Sequence, residues 1–474
     1  MITERLAAEV AFELEEVLAA TGGEVVTLGG GVRVCGVTTD TRGLEPGELF
    51  VPIRGERHDG HRYLREAAAR GAAAVLVDRS ASIEPLSCTT IAVGDTLAAL
   101  GDLAAWHRRR VGGRVLAVAG ANGKTTTKEM LASIAAAAFG AERVLKTQGS
   151  QNNLVGLPLT LLRLSDAHAV AVLELGMNTP GEVWRLAAIA DPDVGVVTCV
   201  GPEHLEGVGS LRGAAEAEGE LYRRLRPSAV AVVSTMEPLL RPSVAACPGR
   251  VVTFGDGTDV DATDVQAMDV RDRGIDGTAF TLRIAGESVP VRLRVAGRHN
   301  VTNALAASAV AHAAGMPAEA IRLGLERVQA PAMRMEVRRL ASGAMVLNDC
   351  YNANPASMEA ALQTVGATAA RRRLAVLGEM RELGAHAEAA HRDLGRALAS
   401  AGLDGVFLLG PAMRLVEREA RSAGMPADRI VWAADHETLA GHLAGTLHEG
   451  DLVLLKGSRG AALEKVLERL EAGA

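Results

Sequence analysis

Lys124, Thr125 and Thr126 stand directly after a short glycine turn, Gly120-Ala-Asn-Gly123, and the turn follows an apolar run, Val115 to Ala119. The run predicts a buried strand, and Lys124 to Phe139, rich in Ala, Leu, Met and Glu, predicts a helix. A strand, a glycine turn and Lys-Thr at a helix start form a cradle for a nucleotide triphosphate. Free N–H groups of the turn and of the helix N-terminus face the phosphates, the ammonium neutralises them, and a Thr hydroxyl binds Mg2+. The general pattern has a further glycine at 118, where this chain has Val118. The competing reading is an ordinary strand-to-helix turn with its lysine in solvent. Lysine usage favours the cradle. Of 50 basic residues only Lys124, Lys128, Lys146, Lys456 and Lys465 are lysines, so a chain that uses Arg for surface charge keeps a compact point charge in this turn.

The elements around the cradle repeat its pattern. Apolar runs at Ala169 to Leu173, Val194 to Thr198 and Ala229 to Val233 alternate with helices, which predicts a mostly parallel sheet with helices on both faces. Ligands of such sheets sit beyond the carboxyl ends of the strands. There the chain has Glu174 and His204, with Glu218 and Glu220 on a helix predicted over Leu211 to Leu225. Oxygen ligands and one imidazole beside a triphosphate suggest Mg2+ sites. A polar loop, Lys146 to Asn153, has the length of a functional loop.

Two further units flank this one. Residues 1–95 open on a helix predicted within Met1 to Ala19 and continue as short strands, turns and a helix over Tyr63 to Arg70, a small α/β unit. Its polar turns, Thr39-Asp-Thr-Arg42 and Arg54-Gly-Glu-Arg57, suit a phosphorylated sugar or nucleotide. Residues 96–330 hold the cradle. Residues 331–474 carry strand candidates at Met345 to Leu347, Leu374 to Leu377, Val406 to Leu409, Ile430 to Trp432 and Leu452 to Leu455, a second open, Rossmann-like parallel sheet. Polar groups gather at its strand ends, in Asn348 to Asn354 and in Lys456-Gly-Ser-Arg459.

Bulk properties narrow the class. A chain of 474 residues with 48% hydrophobic content has room for about three domains with real cores. The formal charge of −7, with Arg spread along the chain, argues against a nucleic-acid partner. No apolar run is long enough to span a bilayer and the N-terminus is not a signal peptide. Five cysteines without C-x-x-C spacing fit reduced thiols in a cytoplasmic protein.

Taken in order, these motifs resemble the Mur ligase family over essentially the whole chain. The resemblance rests on Asp40-Thr-Arg42 with Pro46-Gly-Glu-Leu-Phe50 and Asp59-Gly-His61, on Gly120 to Thr126, Glu174-Leu-Gly176 and His204-Leu-Glu-Gly-Val-Gly-Ser210, and on Gly297-Arg-His-Asn-Val-Thr-Asn303, Asp349-Cys-Tyr-Asn-Ala-Asn-Pro355 and Leu455-Lys-Gly-Ser-Arg459. It implies an ATP-dependent amide ligase with three α/β domains. Its small-molecule substrates would be a UDP-muramyl tripeptide and D-alanyl-D-alanine. The protein is expected to be a cytoplasmic monomer. The resemblance further implies that Thr39, Asp40, Thr41 and Arg42 hold the uridine diphosphate end. Gly120, Asn122, Gly123, Lys124, Thr125 and Thr126 would hold ATP, with Asn300 and Asn303 on its adenine side and Arg334 and Asp349 reaching it from the third unit. Asn352, Asn354 and Lys456 would face the peptide substrates. Thr125 and Glu174 would share one Mg2+ and His204 a second. Lys124, Glu174, His204 and Glu218 form the expected catalytic set. The family usually has a carbamylated Lys where this chain has Glu218, so Glu218 is expected to supply that negative oxygen pair towards the second Mg2+ unmodified. Met333 stands where Gly is commoner.

Overall fold

The structure is a computed structural model, and it describes residues 10–30, 33–55, 58–81, 84–203, 205–256 and 263–472. Three sheets carry the architecture. The largest has nine strands. From one edge its order is Glu287–Leu293, Thr278–Ile284, Val265–Asp272, Arg250–Gly255, Val230–Ser234, Val194–Val197, Arg114–Ala119, Val170–Glu174 and Val144–Lys146. From Val265–Asp272 onwards all neighbours are parallel, and the first two strands, Glu287–Leu293 and Thr278–Ile284, are antiparallel to their neighbours.

The Arg114–Ala119 strand lies mid-sheet, between Val194–Val197 and Val170–Glu174, so the turn that follows it opens at the centre of the carboxyl edge. Val118 belongs to this strand and not to the turn. It is fully buried in the core with Val172, Val196 and Ile134. Burying a valine contributes about 1.5–3 kcal/mol, which a glycine there would forfeit. The helix Lys124–Phe139 spans the range the sequence predicts. Gly123 (φ 81°) starts it and Gly140 (φ 94°) ends it. Its buried face carries Met130, Leu131 and Ile134, and the helices His299–Ala313 and Ala318–Arg327 pack against it.

The N-terminal sheet has five strands, in the order Glu24–Thr27, Thr89–Val93, Ala74–Asp78, Leu49–Phe50 and Val37–Thr38. The C-terminal sheet has six, in the order Glu336–Arg339, Met345–Asp349, Asp451–Lys456, Arg372–Gly378, Gly405–Leu409 and Ile430–Ala433, parallel apart from the first pair.

Three expectations are corrected. The opening segment is not one helix through Ala19: Ala11–Glu13 is a strand paired with Arg33–Cys35, and the helix is Leu14–Thr21. The helix predicted over Leu211 to Leu225 breaks into Leu211–Glu218 and Glu220–Arg224 at Gly219, where a Cβ would lie 2.1 Å from the Ser243 hydroxyl. The break sends Glu218 inward, whereas Glu220 accepts the free N–H groups of Gly181 and Trp184 at the start of the Glu182–Ala190 helix. The central sheet is also wider than the sequence pattern suggests, by the Arg250–Gly255 strand, the Val265–Asp272 strand and the hairpin that turns at Ala285 and Gly286, both with positive φ.

Candidate functional site

The turn after Ala119 is built so that no side chain other than glycine fits at two of its positions. A Cβ on Gly120 (φ 121°) would lie 2.3 Å from Thr198 Oγ1, and one on Gly123 would lie 2.1 Å from Asn303 Oδ1. Thr198 Oγ1 donates to the carbonyls of Asn122 (2.5 Å) and Ala119 (3.2 Å), and the Ala121 N–H donates to the Cys199 carbonyl. The neighbouring strand end therefore fixes the turn. Lys124 folds back over it, donating to the carbonyls of Gly120 (2.5 Å) and Ala121 (3.1 Å), with Glu203 Oε2 at 3.5 Å. Burial opposes the charge on Lys124, but Glu203, Glu218 and Glu174 outweigh it and hold the ammonium above its ordinary pKa.

Three carboxylates thus face one lysine, each held differently. Glu174, the last residue of its strand, accepts from Thr125 Oγ1 (3.1 Å) and Asn152 Nδ2 (2.9 Å) through Oε1. Its Oε2 is buried without a hydrogen bond and lies 3.7 Å from Lys128 Nζ. Glu218 stands behind the turn and accepts the Gly120 N–H at 2.7 Å. Burial pushes its carboxyl up to about 7, against the pull of Lys124 and the Gly120 N–H. Glu203 sits at the front, between Lys124 and the C-terminal unit.

That unit closes directly over the turn. Asn354 Nδ2 donates to Asn122 Oδ1 (2.8 Å), and Asn352 Nδ2 donates to Glu203 Oε1 (3.2 Å). Asn354 also caps the Pro355–Ala367 helix through the Ser357 N–H. Asp349 accepts from the Met335 N–H (3.1 Å) and from Lys456, which also donates to the Asn352 carbonyl (3.3 Å). The Arg334 guanidinium stacks 4.1 Å from the Tyr351 ring centroid. Arg334 lies between Met333 (φ 58°) and Met335 (φ 53°), two left-handed residues without the freedom of glycine.

A cavity of about 580 Å³ lies between the two units. Asn122, Gly123, Lys124, Thr125, Thr126, Glu174, Asn300, Asn303, Arg334, Asp349, Asn352, Asn354 and Lys456 all line it, so most residues singled out in the sequence meet in one place. Gly120 and Glu218 act from behind it. His204 lies outside the described residues. Thr39, Asp40, Thr41 and Arg42 do not line it. They form a turn of the N-terminal unit in which Thr41 is buried and Asp40 and Arg42 are exposed, and Arg42 pairs with Asp40 (2.6 Å) and holds its carboxyl at about 2. Of the second polar turn, Arg54 pairs with Asp59 and Asp78, while Glu56 and Arg57 lie outside the described residues.

Sequence reasoning missed Glu203, Lys128, Asn152, His299 and Tyr351, which line this cavity or brace its walls. Lys128 is fully buried among Glu129, Glu174 and the carbonyls of Thr147 and Gly149. Its signal was present, because it is one of only five lysines. Glu203 and His299 each adjoin a residue that was chosen, and Tyr351 lies inside a quoted motif.

Three family models match in sequence order: the Mur ligase family catalytic domain over residues 33–108, the Mur ligase middle domain over 118–311 and the Mur ligase glutamate ligase domain over 333–459. The UDP-N-acetylmuramoyl-tripeptide–D-alanyl-D-alanine ligase of Bacillus subtilis is 37% identical over 92% of this chain and 93% of its own. The chain belongs to the Mur ligase family. A crystal structure of MurF from Acinetobacter baumannii superposes with a TM-score of 0.88 at 30% identity, covering 98% of this Mur ligase and 99% of that chain. A MurF ligase from Thermotoga maritima, solved in complex with ADP, superposes at 0.81 with 28% identity, covering 92% and 97%. These neighbours share the three-part fold, and this Mur ligase is an ATP-dependent ligase.

Proposed function

We propose that this enzyme joins D-alanyl-D-alanine to UDP-N-acetylmuramoyl tripeptide, making an amide through an acyl phosphate. The observation that carries the proposal is the single cavity in which Lys124 and the Thr125–Glu174 pair face Arg334, Asp349 and Asn352 of the other unit. A carboxylate is a poor electrophile, so the tripeptide carboxylate first takes the γ-phosphoryl group of ATP, and ADP is the leaving group. Lys124 and Arg334 approach it from opposite walls and stabilise its spreading charge. The dipeptide amine then displaces phosphate, and closure of the C-terminal unit keeps water out.

Thr125 and Glu174 fit Mg2+: a hydroxyl and a carboxylate are hard oxygen donors, and Glu174 Oε2 is buried without a hydrogen bond. Among the described residues no three His, Cys, Asp or Glu side chains converge to hold an ion by themselves. A nucleotide-bound Mg2+ takes its remaining ligands from phosphate and water. The ion would neutralise charge on the transferred group. Glu218 and His204 are the candidates for a second ion. Asn300 and Asn303 would line the adenine side, and Asn352, Asn354 and Lys456 the peptide side. Thr39 to Arg42 would grip the uridine diphosphate in a separate unit, with working boundaries of 1–95, 96–330 and 331–474. No helix among the described residues is long and apolar enough to cross a membrane. A cytoplasmic monomer is part of the same reading.

The test is phosphate release from ATP by purified protein with Mg2+ and the UDP-muramyl tripeptide, with and without D-alanyl-D-alanine. The expected outcome is release that needs both substrates, with a pentapeptide product by mass. Release indifferent to both would overturn the proposal.

A further inference from the structure

Lys128 stands one helical turn after Thr125 on the Lys124–Phe139 helix, and its side chain is fully buried. The mechanism above gives it no task. A buried ammonium is costly unless hydrogen bonds and opposite charge surround it, and a well-packed apolar side chain in its place is often at least as stabilising. This chain keeps a lysine there although only five of its 50 basic residues are lysines. Its contacts define what it holds. Nζ donates to the carbonyls of Thr147 (3.0 Å) and Gly149 (3.4 Å), and it lies 3.1 Å from Glu129 Oε1 and 3.7 Å from Glu174 Oε2. Lys146 pairs with the other oxygen of Glu129.

Thr147 and Gly149 open the polar loop between the Val144–Lys146 strand and the Gly156–Leu161 helix. The far end of this loop is tied down by two asparagines. Asn152 donates to Glu174 Oε1 and its carbonyl accepts the Gly176 N–H at 2.8 Å, while Asn153 accepts the Val155 and Gly156 N–H groups. The near end rests on Lys128. The loop is also a wall of the reaction cavity, which Ser150, Asn152, Asn153 and Leu154 line beside Met177 and Leu186. The helices behind this wall, Gly156–Leu161 and Glu182–Ala190, pack against Thr96–Arg110, the helix that follows the N-terminal sheet. The wall therefore borders the N-terminal unit. A substrate gripped at Thr39 to Arg42 must cross it to bring its carboxylate to Lys124. One helix thus carries the phosphate lysine at its start and the support of this wall one turn later.

We infer that Lys128 is a positioning residue for the acceptor substrate: it clamps the loop of residues 147–153 and so fixes the wall along which the UDP-muramyl tripeptide lies. The inference rests on the ligase reading above. Lys128→Met removes the clamp and leaves Glu129 its partner Lys146, and Glu174 its partners Thr125 and Asn152. A hydrogen bond to a charged group accounts for about a 10-fold effect or more. In the free enzyme, amide hydrogen exchange over residues 147–157 should therefore quicken by about that factor, and exchange in the Lys124–Phe139 helix should not. KM for the tripeptide should rise by about 10-fold, while KM for ATP and for D-alanyl-D-alanine stay as they are. A general loss of folded protein cannot do this, because it lowers the apparent kcat and leaves KM alone. Lys128→Gln keeps an amide donor and should shift both readings less, in the same direction; it replaces Lys128→Met if that variant does not fold. Lys146→Gln removes the other cation on Glu129 but no bond to the loop carbonyls, and it should match wild type in both readings. Unchanged loop exchange, a fall in kcat at unchanged KM for the tripeptide, or equal effects from Lys146→Gln overturns the inference. Wild-type protein that releases phosphate without regard to the tripeptide overturns the ligase reading instead, and the exchange measurement still decides whether Lys128 clamps the loop.

Discussion

Lys124 and Lys456 face the same cavity from opposite walls, and each stands at the carboxyl end of an interior strand of a parallel sheet. Their partners differ in kind. Lys124 has two carbonyls of its own turn and a carboxylate at 3.5 Å, contacts that an anion can replace without disturbing the fold. Lys456 is 2% exposed and is locked to Asp349, whose other oxygen holds the Met335 N–H beside Arg334. The central unit keeps a cation available for a ligand, whereas the C-terminal unit uses one to hold an arginine in place. Two lysines of similar position thus divide binding from rigidity.

The largest effects test that division directly. Lys124→Met should lower phosphate release by about 10³-fold, as loss of a charge-stabilising group at a transferring phosphoryl does. Its urea midpoint should move less than that of Lys456→Met. In Lys456→Met, Asp349 is left without its cation, and the expected loss is about 3–5 kcal/mol in urea unfolding. The double variant Lys456→Met/Asp349→Leu should regain most of that stability without regaining turnover. If Lys124→Met proves the less stable of the two, the comparison fails.

The central unit has its own costly feature in Glu218. Its carboxyl ordinarily titrates near 4.5 and is raised to about 7, chiefly by burial. Folded protein therefore holds a proton between these values that the unfolded chain has released. Stability falls as pH rises through that window and is level above it. Glu218→Gln cannot lose a proton, so its advantage over wild type should grow from nothing near pH 4.5 to about 3 kcal/mol above pH 7. Urea titrations of both proteins in metal-free buffer across pH 5 to 8 measure it. A difference independent of pH would mean that Glu218 stays ionised throughout, as a permanent partner of Lys124.

Local features were legible in the sequence and long-range ones were not. The strand, turn and helix from Arg114 to Phe139 are contiguous, so their pattern shows in one window, and the strand-end residues Glu174 and Asp349 follow from the parallel-sheet rule. Glu203 and Lys128 acquire their partners only when separate segments close on one another. Of the Arg250–Gly255 strand and those beyond it, Thr278–Ile284 alternates buried and half-buried positions, whereas Arg250–Gly255, Val265–Asp272 and Glu287–Leu293 each include a stretch of exposed residues, which blurs a search for apolar runs. Gly219 reads as a tolerable helix residue until Ser243 is packed against it.

Met333 and Met335 bring the comparison to its smallest scale. Both adopt φ above 50°, which costs an L-residue about 1–2 kcal/mol, and glycine at either position would relieve that strain. Their side chains fare differently. Met335 is 4% exposed in the core with Leu347 and Leu377, whereas Met333 is only partly buried, against the separate cluster that holds Val346 and Leu455. Removing a buried methionine side chain costs about 2–5 kcal/mol, so Met335→Gly should be destabilised by about 2 kcal/mol after the relief is counted. In Met333→Gly, relief and lost packing nearly cancel, and its stability should lie within about 1 kcal/mol of wild type. Its effect belongs in turnover: the backbone before Arg334 becomes free to move, and phosphate release should fall several-fold while the urea midpoint stays put. Equal destabilisation of the two variants would show that the backbone angle, and not side-chain burial, governs this corner. Arg334 would then be held by strain and not by the Lys456–Asp349 pair.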